Sequence, residues 1–80
     1  MTQKELLNRV IVKPGVCGGH PCIKGTRIDI AIILDALAEG ATADQVIDHY
    51  PQLRPEDIHA ALAYAAALAK ENLWKVAAAS

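Results

Sequence analysis

The chain contains no phenylalanine, only two tyrosines and one tryptophan, and just two cysteines among its 80 residues. So few rings leave little surface for nucleobases to stack on, which argues against recognition of single-stranded RNA. Structural zinc needs four ligands, usually two pairs; Cys17 and Cys22 make one pair at most, and His49 and His59 would have to come from distant helices. No metal or other cofactor is therefore expected. No apolar run approaches the ~20 residues of a membrane span. Met1-Thr2-Gln3-Lys4-Glu5 opens without the apolar core of a secretory signal. The expectation is a cytoplasmic protein whose cysteines stay reduced.

Net charge is also slight, at −1, but that value hides a split. Residues 1–28 carry Lys4, Arg9, Lys13, Lys24 and Arg27 against Glu5 alone, whereas the rest carry Arg54, Lys70 and Lys75 against eight acids. A polyanion would meet the N-terminal third; alternatively, the two halves neutralise each other across the fold.

What is present reads as one small, mostly α domain. Thr2-Gln3-Lys4-Glu5 fits a capping box ahead of a short helix, and Val10-Ile11-Val12 is a β-branched trio suited to a strand. Lys13-Pro14-Gly15 turns the chain, and Thr26-Arg27-Ile28 is expected to pair with the first strand as an N-terminal β-hairpin. Beyond Asp29, Ile30, Ile33, Leu34 and Leu37 form one helical stripe, with Asp29 as N-cap and Gly40 past the C-terminus. Thr42 and Gln45 form a second capping box, and Pro51 ends that helix near Tyr50. Pro55 opens a third helix, with Leu53 and Ile58 placed as a hydrophobic staple. On it, Ile58, Leu62, Ala65, Ala69 and Leu73 are expected to face the core, widened by Ala61 and Leu68.

Three helices with tight connections are compatible with a trihelical, helix-turn-helix-like domain. Its organisation divides into an N-terminal β-containing segment (1–28), the helical core (29–71) and a C-terminal helical extension (72–80). In such folds the last helix usually enters the major groove. Here its outward positions would be Glu56, His59, Ala60, Ala63 and Ala67, which include no arginine or lysine. Base contacts would instead come from Gln52 and Arg54, and phosphate contacts from Lys24 and Arg27 or from the ends at Lys4, Arg9 and Lys13. Affinity rises with the number of neutralised phosphates, so a homodimer that doubles these contacts is expected.

Gly18-Gly19-His20-Pro21-Cys22-Ile23-Lys24-Gly25-Thr26-Arg27-Ile28 is the most distinctive stretch. It lacks P-loop spacing. Either its glycines let the chain strap across the helices while Arg27 pairs with Asp29, Asp35 or Asp48, or Arg27 contacts phosphate. Thiol catalysis would need a base and an orienting group, and none is fixed nearby, so Cys17 and Cys22 read as small buried thiols in a tight loop. At the other end, Leu73, Trp74 and Val76, with Lys70 and Lys75, form a candidate partner surface; the alternative is that this helix runs back over Leu6 and Leu7.

Pro14 through Gly19, Pro21-Cys22-Ile23-Lys24-Gly25-Thr26-Arg27-Ile28, Glu39-Gly40-Ala41 and Tyr50-Pro51 followed by Glu56-Asp57-Ile58 resemble the domain of unknown function 433 family. The motif residues are Gly18, Gly19, Pro21, Gly25, Thr26 and Arg27. The resemblance covers about Arg9 to Ala66. It implies a small prokaryotic protein of the VapB-like antitoxin type, paired with a toxin of PIN-like nuclease fold. On that reading the protein is not an enzyme: the C-terminal helix docks on the toxin, with Lys70 or Lys75 against its acidic metal site, and the basic segment contacts operator DNA. Asp29 stands where many members carry proline, and both residues suit a helix start. Other classes compatible with the residues are a stand-alone transcriptional regulator and a dimerisation or adaptor domain without a nucleic-acid role.

Overall fold

Each helix begins where a side chain satisfies its first free amides. The structure, a computed structural model, describes residues 1–79, with side chains described through Glu71. In α1 (Gln3–Leu7), Thr2 Oγ1 accepts from the Glu5 amide at 3.2 Å and Glu5 Oε1 accepts from the Thr2 amide at 3.2 Å. Hydrogen bonding to the Thr2 backbone, and then to its hydroxyl, holds the Glu5 carboxyl below its usual range. In α2 (Ile30–Ala38), Asp29 Oδ1 accepts from the Ala31 amide at 3.2 Å. In α3 (Ala43–His49), Thr42 and Gln45 exchange the two bonds of a capping box.

α2 ends as its sequence indicates. Gly40 adopts φ 101°, its amide reaches the Leu37 carbonyl at 3.1 Å, and the Ala41 amide reaches Ala36 at 3.0 Å. Those two bonds are the Schellman pattern. α4 (Pro55–Ala79) starts with proline at its first position. Leu53 and Ile58 close the staple ahead of it, both almost fully buried.

The hairpin exists, but its second strand differs from the expected one. β1 (Val10–Ile11) pairs antiparallel with β2 (Cys22–Ile23), in register Val10 with Ile23 and Ile11 with Cys22. Thr26-Arg27-Ile28 returns along the other side of β2: the Ile23 amide donates to Ile28 O at 3.0 Å, and Cys22 bridges to Asp29. The reason is packing. Ile23 is 2% exposed and belongs to the core, so it takes the central place that β-propensity cannot assign in segments this short.

The core joins Ile23 and Ile28 of the strap to Ile30, Ile33, Val46, Leu53, Ile58, Ala60 and Ala61. A fully buried isoleucine such as Ile33 or Ile58 stabilises by about 1.5–3 kcal/mol. On α4, the expected core face is corrected. Leu62 and Leu68 are 46% and 43% exposed, while Ala60, Ala61 and Ala63 are buried. α1, α2 and α3 all pack on this helix, and the small side chains let them approach closely. Tyr64 lies half-buried at the core edge and His59 is exposed.

Candidate nucleic-acid interface

The strap's path is held by its backbone. Pro14 and Gly15 turn the chain, with the Val16 amide on Lys13 O at 3.0 Å. A 3-10 turn over Cys17–Gly19 follows, in which Cys17, Gly18 and Gly19 have positive φ. After β2 the chain reverses again at Gly25, whose φ of 83° favours a residue without Cβ. A Cβ at Gly25 would meet nothing within 4 Å, so conformation alone calls for glycine there. Thr26 locks that turn: its hydroxyl donates to Ile23 O at 2.8 Å and accepts from the Ile28 amide at 3.0 Å. Pro21 O takes the Ile30 amide at 2.9 Å and so fixes the strap to the start of α2.

These turns bring sequence-distant residues together. Lys13, Arg27 and Gln52 line one open cleft of about 480 Å³ with Ile11, Val16, Gly25 and Thr26, and no carboxylate contributes to the lining. Lys13 comes from the first turn, Arg27 from the strap's return, and Gln52 from the turn between α3 and α4. Of the residues expected to contact DNA, these three therefore converge, while Arg9 is taken up by Asp57. Lys24 lies apart, in a smaller depression with Asn8, Arg9 and Asp57. Arg54 is exposed at the head of α4 and outside the cleft lining.

Arg27 makes none of the ion pairs considered for it. It is exposed, and the one salt bridge among the described residues is Arg9 Nε to Asp57 Oδ1 at 2.9 Å. Asp57 is 5% exposed, and its other oxygen accepts from the Arg54 amide at 2.9 Å, capping α4. The sequence carries only half of that arrangement: an acid at the third helical position signals a cap, but nothing local marks Arg9 as its partner.

Two of the five outward positions expected on the third helix, α4 of the structure, differ from that expectation. Ala60 and Ala63, placed outward in the sequence reading, are buried against the rest of the domain. Of the partner-surface residues, Lys70 is exposed, whereas Leu73, Trp74, Lys75 and Val76 lie outside the described side chains. Cys17 is half-buried and Cys22 fully buried, both as free thiols. Among the described residues no three His, Cys, Asp or Glu side chains gather around a metal-sized site. No described helix is long and apolar enough to cross a membrane.

The family model described as "Protein of unknown function (DUF433)" matches residues 10–65, the span from β1 to the middle of α4. The chain belongs to the DUF433 family. The crystal structure of a DUF433 member protein from Anabaena variabilis superposes with a TM-score of 0.69 at 32% identity, covering 91% of this chain and 68% of that one. The uncharacterized protein y4eO of Sinorhizobium fredii is 31% identical over 58 residues, 72% of this chain. The chain spans only 26% of that relative's length. The DUF433 match covers both the glycine-rich strap and the three-helix core, so the two form one family unit.

Proposed function

We propose that this DUF433 protein is a DNA-contacting antitoxin of the VapB-like type. It grips the phosphate backbone of operator DNA in the strap cleft and binds a PIN-like toxin through the exposed part of α4. The observation that carries the DNA contact is the convergence of Lys13, Arg27 and Gln52 on one cleft without an acid. A concave surface with one sign of charge focuses its field on a polyanion. Arg27 presents a planar donor fork to phosphate, Lys13 a point charge, and Gln52 an amide able to address a base edge. Two strong cations are few for one protomer, so a homodimer presenting two clefts completes the site. The toxin contact is supported by the family resemblance and by the position of Lys70 on α4, exposed and clear of the cleft.

Fluorescence anisotropy on a short duplex across a salt series tests the first half. Lys13→Ala and Arg27→Ala should each weaken binding roughly five- to tenfold and lower the salt slope by about 1. Lys70→Ala should leave DNA binding unchanged. Wild-type affinity in the Lys13→Ala/Arg27→Ala double variant would remove the cleft from the DNA contact. Co-purification with the product of an adjacent reading frame, lost on Trp74→Ala, tests the toxin contact. A protein that binds duplex tightly with no such partner is a stand-alone regulator.

A further inference from the structure

Cys17 and Cys22 are not among the residues that line the proposed DNA contact, and among the described residues they belong to no metal-sized cluster, yet the fold places them together in opposite settings. The 3-10 turn folds the chain back, with the His20 amide on Cys17 O at 3.0 Å, and leaves the Cys17 side chain near enough to the Cys22 thiol to act on it. Cys22 is 0% exposed in β2, its thiol directed at Thr26 O at 3.9 Å. Cys17 is half-buried and reachable, and holds φ 51°. That left-handed conformation costs a residue with a Cβ about 1–2 kcal/mol, so the chain carries a thiol where glycine would be less strained. Both cysteines adjoin the cleft: Val16, next to Cys17, lines it, and so does Thr26, the acceptor for Cys22.

We propose that Cys17 and Cys22 are a peroxide-sensitive dithiol, and that closing their disulfide reshapes the strap cleft. The Cys17 sulfur attacks one peroxide oxygen and gives up its thiol proton. The O–O bond breaks, an S–O bond forms, and the departing hydroxide takes a proton and leaves as water. The Cys22 sulfur then attacks the sulfenic sulfur of Cys17. The S–O bond breaks, the S–S bond forms, and a second water leaves with the Cys22 proton. Two thiols lose two electrons and two protons, and one peroxide becomes two waters. The order follows from the settings: burial, and then the Cys17 side chain, push the Cys22 thiol up to about 11, so the accessible Cys17 reacts first. An S–S bond of about 2.05 Å draws Cys17 and its neighbour Val16 toward β2 and withdraws the Cys22 thiol proton from Thr26 O. An effect on DNA affinity rests on the proposed phosphate contact; the bond itself does not.

The full reduced chain is titrated with hydrogen peroxide and followed by intact mass and amide chemical shifts. The expected result is a loss of about 2 Da, reversed by dithiothreitol and absent in Cys17→Ser. Amide shifts should change at Val16, Thr26 and Arg27 and hold still at Val46 and Ala61. The oxidised form should bind a short duplex roughly threefold or more weakly than the reduced form. Gain of oxygen on Cys17 without bond closure overturns the dithiol. Closure with Val16 and Thr26 unshifted overturns the coupling to the cleft. Closure and shifts in a protein that binds no duplex in either state support the dithiol and remove the DNA contact instead.

Discussion

The strap and the helical bundle hold their backbones by different means, and the contrast explains where free charge is left. In the bundle, ends are tied by side chains. Asp29 and Asp57 cap helices, Thr42 and Gln45 close a box, and Leu53 and Ile58 form a staple. In the strap, the path is held by backbone bonds, positive-φ turns and the Thr26 hydroxyl. Its cations are therefore not consumed by the fold. Lys13, Lys24 and Arg27 are exposed and outside any ion pair among the described residues. Arg9 is the exception, and it is the one that fastens strap to bundle. A segment that keeps its shape without its charges can present those charges to a ligand.

The largest effects should come from the bundle core shared by both regions. Ile58→Ala removes a 2% exposed side chain that packs with strap and helix residues alike. It should cost about 3–4 kcal/mol in urea unfolding. Asp57→Ala should follow at about 2 kcal/mol, since it strips both the cap on α4 and the partner of Arg9. The figure is modest for a buried pair because Arg9, at 28% side-chain exposure, can turn to water. Asp57→Asn keeps an acceptor for the Arg54 amide and should lose only about half as much. If both variants cost the same, the ion pair rather than the cap holds the junction.

How far the sequence reaches into this contrast follows the same division. Asp29, Thr42, Gln45, Gly40, Pro51 and Pro55 act within a few residues of themselves, so the ends of α2 and α3 and the start of α4 can be placed by reading along the chain. The strap's pairing cannot. Which of two short extended pieces lies beside Val10 and Ile11 depends on Ile23 finding the core, a tertiary fact. The face of α4 is illegible for another reason: apolar residues surround it, and a size-based reading turns Leu62 inward where alanines are needed for close approach. Of the site, residue types were legible and the partnership was not. Lys13, Arg27 and Gln52 share a cleft because two turns fold over the helices, and Arg9 meets Asp57 across 48 residues.

The strap's buried thiol gives a pH-dependent contrast with the bundle. The Cys22 thiol, raised from 9.0 to about 11 chiefly by burial, stays protonated in the folded chain while the unfolded chain ionises. The unfolded state binds fewer protons in that window, so stability falls as pH rises from about 9 to 11. Urea unfolding at pH 8, 9.5 and 11 should show this decline. Cys22→Ala, less stable at pH 8, should show a shallower one. An equal slope in both proteins would assign the alkaline loss to other groups.

The smallest effect gives the sharpest comparison. Gly25 in the strap and Gly40 after α2 have φ of 83° and 101°, and an added Cβ meets nothing within 4 Å at either position. Alanine at either site therefore tests backbone conformation alone, at about 1 kcal/mol. If strap and bundle unfold together, both variants lower global stability by that same amount. Equality is expected, because Ile23 and Ile28 sit in the same core as Ile33 and Ile58, and Arg9 ties the strap to α4. A strap that opens separately gives another pattern: Gly25→Ala leaves global unfolding unchanged and speeds amide exchange only at residues such as Ile23, Thr26 and Ile28. That outcome would make the cleft a surface assembled by its ligand rather than one preformed to receive it.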